Sequence, residues 1–412
     1  MREMKDSGIE WIGIIPENWS FSKIGSLYSL RVTKVSDRDY QPLSVTNKGV
    51  LPQLETAAKT NAHDDRKLVC KGDFAINSRS DRRGSCGISP YTGSVSLINT
   101  ILRPITEMNP QYYDWLFHTI QFGDEFYKWG HGIVDDLWTT GWQDMKKITI
   151  PTPPIEEQEQ IASFLDNECS EIDALLSDIQ GQIEALEEYK RSVITEAVTK
   201  GLDPDVEMRD SGVQWIGKMP VHWDCQRGKY ILHYVQKPVR DDDGVITCFR
   251  DGEVTLRSNR REEGFTMADK EIGYQGIDVG DLVVHGMDGF AGAIGISDSR
   301  GKASPVLNVL DTEQSKRYIM YYLRSMAYND VFVALATGIR VRSCDLRWNK
   351  LAELLYPLPP IEEQQAIVEY IDSVLERTNA IIAEKKQQIE TIEEYKKSLI
   401  FEYVTGKKEV QA

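Results

Sequence analysis

Pro153-Pro154-Ile155-Glu156-Glu157-Gln158 opens a stretch with no further proline until Pro204, in which apolar residues recur every seven positions: Leu165, Ile172, Ile179, Leu186 and Val193. That period is one seam of a coiled coil. Ile161, Leu175 and Tyr189 supply much of a second seam, interrupted by Glu168 and Gln182, while Leu176 and Ile183 widen the apolar stripe. Proline suits a first helical turn, where its missing N–H is no loss, and the glutamates behind it favour the positive end of the helix dipole. Gly201 marks the stop. A helix from Gln158 to Thr199 would be about 60 Å long at 1.5 Å per residue. Such a rod can pack on its own domain, but its broad stripe calls for another long rod.

That rod is present in the same chain. Pro359-Pro360-Ile361-Glu362-Glu363-Gln364 repeats the opening 206 residues later, and Gln182-Ile183-Glu184 through Glu187-Glu188-Tyr189-Lys190 returns as Gln388-Ile389-Glu390 through Glu393-Glu394-Tyr395-Lys396. Its seam reads Ile371, Thr378, Lys385, Ile392, Leu399, flanked by Ile367, Val374, Ile381 and Tyr395 and by Leu375, Ile382 and Ile389, and Gly406 marks the end. Met4-Lys5-Asp6-Ser7-Gly8-Ile9-Glu10-Trp11-Ile12-Gly13 likewise returns as Met208-Arg209-Asp210-Ser211-Gly212-Val213-Gln214-Trp215-Ile216-Gly217, at a register of 204, with Pro16 and Trp19 echoed by Pro220 and Trp223. A repeated frame around unlike inserts predicts two recognition modules on one symmetric scaffold. The expected fold is α+β: two globular domains, 1–152 and 204–358, related by a pseudo-twofold internal repeat and separated by two long antiparallel coiled-coil helices, 153–203 and 359–412. Leu165, Ile172, Leu175, Ile179, Leu186, Tyr189, Ile371, Val374, Ile381, Ile392 and Tyr395 are the expected helix-packing or partner-facing residues.

The chain of 412 residues is long enough for each half to bury its own core. Six cysteines (70, 86, 169, 225, 248, 344) form no C-x-x-C pair, and the polar N-terminus precedes no apolar run, so a cytoplasmic protein without a membrane span is expected. A net charge of −16 argues against nucleic acid until its distribution is read. Residues 151–206 carry 3 basic against 14 acidic side chains, whereas residues 20–150 carry 16 against 14 and residues 224–356 carry 18 against 19. The acid belongs mainly to the first connector, and both inserts are near neutral.

Each insert reads as short strands bounded by Gly, Asp, Asn and Pro with brief helices, such as Gln111 to Phe122 and Ser315 to Phe332. They share Gly72-Asp73-Phe74 against Gly280-Asp281-Leu282, Gly132-Ile133 against Gly338-Ile339, and Trp142 against Trp348. In the first insert Ser78, Arg79, Arg82 and Arg83 combine guanidinium groups with a short hydroxyl, which suits phosphate contact and bidentate guanine readout. A solvated loop whose arginines pair with Asp81 is the alternative. In the second insert the candidates are Arg257, Asn259, Arg260 and Arg261, then Arg340 and Arg342, with His285 at the position of the first arginine loop. Trp11, Trp19, Trp215 and Trp223 could stack bases, but their fixed places beside Ile-Gly and Pro favour structural packing. Two long antiparallel helices would separate two unlike half-sites, as twofold binders do on duplex DNA.

These residues resemble the specificity subunits of bacterial and archaeal type I restriction-modification systems. The likeness covers the whole chain: the paired D-S-G-x-x-W-I-G-x-x-P-x-x-W openings, the P-P-I-E-E-Q helix entries, and the E-E-Y-K helix tails ending in Val198-Thr199 and Val404-Thr405. The resemblance implies a non-catalytic subunit whose inserts are target recognition domains, each reading half of a bipartite site on double-stranded DNA. It implies as partners two methyltransferase subunits on the paired helices and motor-nuclease subunits joining them. S-adenosylmethionine, ATP and Mg are implied in those partners, with no cofactor in this chain. Consistently, the sequence has no G-x-x-x-x-G-K-[ST] loop, no Asn/Asp-Pro-Pro-Tyr/Phe signature and no metal-ligand cluster of His or Cys. A coiled-coil scaffold with two protein-binding domains and no DNA contact is the competing reading.

Overall fold

A computed structural model describes residues 2–53, 63–79, 84–132, 138–260, 272–335 and 346–410. Two helices dominate it, Ile155–Lys200 and Ile361–Val404, each beginning directly after a Pro-Pro pair. The chain divides into two compact units, one comprising residues 1–179 and 386–412 and the other residues 180–385. Each unit therefore contains one globular domain, the first half of the helix that follows it, and the last half of the other helix.

Within the first unit Phe164 lies against Tyr403, ring centroids 4.4 Å apart, and Asp173 bonds Lys396 at 2.6 Å. Numbers rise on one segment as they fall on the other, so the segments run antiparallel. Leu165, Ile172, Leu399 and Val404 are buried between them and the domain. The second unit repeats this arrangement, burying Ile194, Val198, Ile367 and Ile371 in its own core. Gln182 and Lys385, which interrupt the apolar rows, bond each other at 2.5 Å, and the Thr378 hydroxyl is absorbed by the Val374 carbonyl one turn back at 2.7 Å.

The broad stripe is only partly covered. Ile179 and Val374 are buried, and Leu186 and Ile392 half-buried, but Leu175, Tyr189, Ile381 and Tyr395 are 44 to 53% exposed. Of the two roles expected, helix packing or facing a partner, these four residues are placed for the second: one neighbouring helix covers one seam, and the rest of a wider stripe faces outward.

The repeated openings form one hairpin twice. Met4–Asp6 pairs with Ile14–Pro16, and Met208–Asp210 with Lys218–Pro220. In each turn the aspartate carboxylate accepts the N–H two residues on (Asp6 from Gly8, 2.9 Å; Asp210 from Gly212, 2.8 Å) and the serine hydroxyl does the same (Ser7 from Ile9, Ser211 from Val213). Trp19 and Trp223 are each 1% exposed. Both domains build the same four-stranded antiparallel sheet, in spatial order Cys86–Ile88, Phe74–Asn77, Asn99–Pro104, Tyr28–Leu30 in the first and Ile294–Ile296, Leu282–His285, Leu307–Asp311, His233–Tyr234 in the second. The predicted helical stretches are present but broken: Pro110–Phe117 is capped by Asn109, then Thr119 caps Ile120–Lys128, and Ser315 caps Lys316–Tyr328 ahead of a separate turn, Val331–Ala334.

The helix tails close each unit. Tyr112 donates its hydroxyl proton to the Val404 carbonyl at 2.8 Å, and Tyr318 donates to Val198 at 3.1 Å. Gly201 follows with φ +76° and Gly406 with φ +69°; in each case a side chain would run into the opening hairpin, at Pro220 and Trp223 or at Pro16.

Candidate nucleic-acid interface

Each globular domain is fixed to its helix by the P-P-I-E-E-Q motif. Glu157 accepts from the Trp19 indole at 2.8 Å, from Asn18 at 2.8 Å and from Arg2 at 2.8 Å. Burial pushes its carboxyl up, but these bonds outweigh that and hold it below the usual glutamate range. Gln158 accepts from the Asn109 N–H and donates to the Pro153 carbonyl. In the second unit Glu363 takes the Trp223 indole at 3.0 Å, and Gln364 takes the Ser315 N–H and donates to Pro359. The tryptophans are thus structural. Beside their place at the positive end of the helix dipole, the glutamates take a second role that the motif alone does not reveal.

The Gly-Asp pairs that the inserts share form one turn. Gly72 and Gly280 have φ of +87° and +86°, and the following aspartates are buried acceptors: Asp73 for Arg31 (2.6 Å) and Asp281 for Lys237 (2.7 Å). The next strand of each sheet ends at the predicted contact loop.

In the first domain that loop starts with Ser78. Its side chain is 7% exposed and shares a hydrogen bond with Thr100 at 2.8 Å, so the expected phosphate contact is corrected: the hydroxyl is already used in the core. Arg79 is exposed, its N–H is held by the Asn77 side chain at 3.0 Å, and it pairs with Thr139 as an isolated bridge. Thr140 N–H donates to the Ser78 carbonyl, and Trp138 beside it donates to Tyr127. Arg79 lines a small pocket together with the aromatic side chains Phe117, Phe122, Phe126, Tyr127 and Trp138. Arg82 and Arg83 lie outside the described residues.

The second domain uses its candidates differently. Arg260 lies 4.1 Å from the Phe249 ring centroid and bridges Asp251 (2.8 Å) and Glu253 (2.9 Å). Asn259 donates to Thr255 at 2.8 Å, and half-buried Arg257 donates to Thr247 at 3.2 Å. The three hold a hairpin, Ile246–Cys248 with Val254–Leu256, to its own turns. His285 accepts the N–H groups of Met287 (3.2 Å) and Asp288 (2.9 Å) through Nδ1. Burial lowers its pKa, favouring the neutral ring that such acceptance requires. Its Nε2 faces the Asp288 carboxylate at 3.8 Å. Arg261, Arg340 and Arg342 lie outside the described residues.

Comparison with known proteins gives these features a family. The family described as Type I restriction modification DNA specificity domain matches residues 16–185 and 283–391. The Type I restriction enzyme MjaVIII specificity subunit of Methanocaldococcus jannaschii is 26% identical over 95% of this chain and 93% of its own. Among solved structures, a chain from work on complex assembly and conformational transition of the type I R-M system superposes with a TM-score of 0.68 at 13% identity, covering 95% of this chain and 98% of that one. The HsdS subunit from Thermoanaerobacter tengcongensis gives 0.50 at 14% identity, covering 97% and 99%. At such identities the superpositions establish the fold.

Proposed function

The chain belongs to the type I restriction-modification DNA specificity family, and on that premise we propose that it is the subunit through which such a complex reads a split DNA sequence, each globular domain taking one half. It is a specificity subunit, and in type I systems the chemistry belongs to partner subunits. The observation that carries the two-half reading is the pairing of one frame with two chemistries. The sheet, the Trp-to-Glu bond and the Gly-Asp turn recur, while the central strand ends in Asn77 ahead of exposed Arg79 in one domain and in His285 ahead of exposed Met287 in the other. One backbone platform with different side chains at its rim is what reading two unlike half-sites requires. We take residues 1–152 and 204–358 as the recognition domains. The first long helix, 46 residues or about 70 Å at 1.5 Å rise, sets the gap between half-sites.

The outward apolar positions fit docking of methyltransferase subunits. Leu175 and Ile381 are equivalent in the repeat, as are Tyr189 and Tyr395, so each unit exposes one aliphatic and one tyrosine side chain on its helix pair. Two equal patches fit two methyltransferase subunits, with motor-nuclease subunits joining the assembly and with S-adenosylmethionine, ATP and Mg bound in those partners. Among the described residues no helix is long and apolar enough to cross a membrane; the cytoplasm is where we place its work on DNA.

The test is single-molecule methylome sequencing of a host without modification systems of its own, carrying the neighbouring methyltransferase gene with or without this one. A split motif methylated only when this chain is present is the expected result. No new methylation, with the methyltransferase shown to be bound, rejects sequence reading and leaves a protein-binding scaffold.

A further inference from the structure

The second unit contains a cleft of about 910 Å³ between its globular domain and its two helix segments. Two guanidinium groups converge on one aromatic ring there: Arg191, from the first long helix, and Arg324, from Lys316–Tyr328, each lie 5.6 Å from the Tyr328 ring centroid. Arg324 donates to the Tyr328 hydroxyl at 2.8 Å and to the Asp251 carbonyl at 2.7 Å. Among the described residues neither arginine has a carboxylate within ion-pair distance. The other cations of the cleft are paired, Lys190 with Glu187 at 2.9 Å and Arg250 with Asp288 at 2.8 Å. Ile194, Phe290, Ala327, Val333 and Leu375 make its apolar lining.

The first unit does not carry this chemistry. At the register of 206, Arg324 replaces His118, Tyr328 replaces Phe122, Arg191 replaces Lys397 and Asn379 replaces Asp173. Asp173 is the residue that neutralises Lys396 across the helix pair at 2.6 Å. With Asn379 in its place, the second copy loses an acid at the same site where it gains arginines.

We propose that this cleft docks a polypeptide segment carrying a carboxylate beside apolar side chains, presented by a methyltransferase subunit; the inference rests on the reading of the chain as a specificity subunit. A guanidinium pair held open by an aromatic ring matches a carboxylate in charge and fork geometry, and arginine with aromatic and aliphatic neighbours is the composition of a protein interface core. A phosphodiester strand fits less well, because the apolar lining gives its evenly charged, polar backbone no partner beyond the two arginines. It follows that the two methyltransferase subunits are not held alike, the one at the second unit having a contact the other lacks.

The experiment uses the full-length chain and its methyltransferase, measuring their affinity by titration and the DNA affinity of the assembled complex against salt. Arg191→Glu with Arg324→Glu is expected to weaken methyltransferase binding at least tenfold. Asn379→Asp, a conservative change that restores the acid of the first copy, is expected to weaken it several-fold and keeps the test valid if the double variant fails to fold. DNA affinity and its salt slope are expected to be unchanged. Normal methyltransferase binding by Asn379→Asp and by a folded double variant overturns the cleft and leaves the specificity reading standing. Lost DNA affinity with a shallower salt slope, and intact methyltransferase binding, overturns it in favour of nucleic acid. A wild-type chain that binds no methyltransferase overturns both.

Discussion

In the first unit Trp19 gives its indole N–H to Glu157 at 2.8 Å; in the second, Trp223 gives its own to Glu363 at 3.0 Å. The two frames agree nearly bond for bond, down to the tyrosine that reaches the carbonyl of the opposite helix tail. The rims do not agree. Arg79 is exposed and, among the described residues, without an ion-pair partner, while Arg260 is held between Asp251 and Glu253 on the face of Phe249. The lesson is that repetition marks what holds the domain to its helix, and divergence marks what is free to meet a partner. The frame should therefore respond identically to mutation in both copies, and the rims should not.

The largest effect expected is in the frame. Trp19→Ala and Trp223→Ala each empty a fully buried site, and each should cost about 3–5 kcal/mol. Hydrogen exchange should show the loss of protection confined to the mutated unit, with similar size in both. A markedly smaller loss in one copy would break the equivalence of the frames.

A smaller effect is expected at the rims, where the copies should part. Replacing Arg79, Arg82 and Arg83 together should weaken binding of the assembled complex to its DNA by a few kcal/mol, at about 1–3 kcal/mol per good base contact. It should relax the half-site read by the first domain and leave the other half unchanged. Arg260→Ala should leave DNA affinity within about 0.5 kcal/mol and affect the second domain's stability instead, as expected for a group engaged by its own hairpin. Equal losses in DNA affinity from the two substitutions would show that internal pairing does not remove Arg260 from the interface.

How far the sequence revealed this arrangement depended on how local each signal was. The long helices were readable because a seven-residue period and Pro-Pro entries are written within single segments, and the tryptophans were readable because both stand at fixed places in the repeat. Whether Leu175, Tyr189, Ile381 and Tyr395 pack inside or face outward was not readable, because an apolar stripe does not record how many neighbours cover it. The partners of Asn259 and Arg260 were hidden for another reason: Thr255, Asp251 and Glu253 come beside them only when the hairpin closes. The cleft collects residues 191, 250, 324 and 379 from distant segments. Its trace in the sequence is the set of exchanges at Arg191, Arg324, Tyr328 and Asn379 between copies, visible once the repeats are aligned.

The smallest effect expected distinguishes the copies by acid. Where the first unit has the single pair of Arg31 and Asp73, the second extends Lys237 and Asp281 into a network with Asp278, Arg300 and Asp243. Hydrogen bonds from Lys237 and Arg300 hold the Asp278 carboxyl down to about 2. A carboxyl depressed in the folded state stabilises it fully above the ordinary aspartate value of 3.8, and that contribution disappears as pH falls towards 2. Asp243, bonded by Arg300, is shifted in the same direction. The first unit contains an opposing group: burial raises the pKa of Asp114, so protonating it in acid relieves a cost. Hydrogen exchange followed from pH 5 to about pH 2 should therefore show the second unit losing protection first. Asp278→Asn should flatten that loss while leaving the first unit's profile unchanged. If both units opened together in the wild type, the extra ion pairs of the second copy would contribute no measurable stability, as solvent-exposed pairs often do.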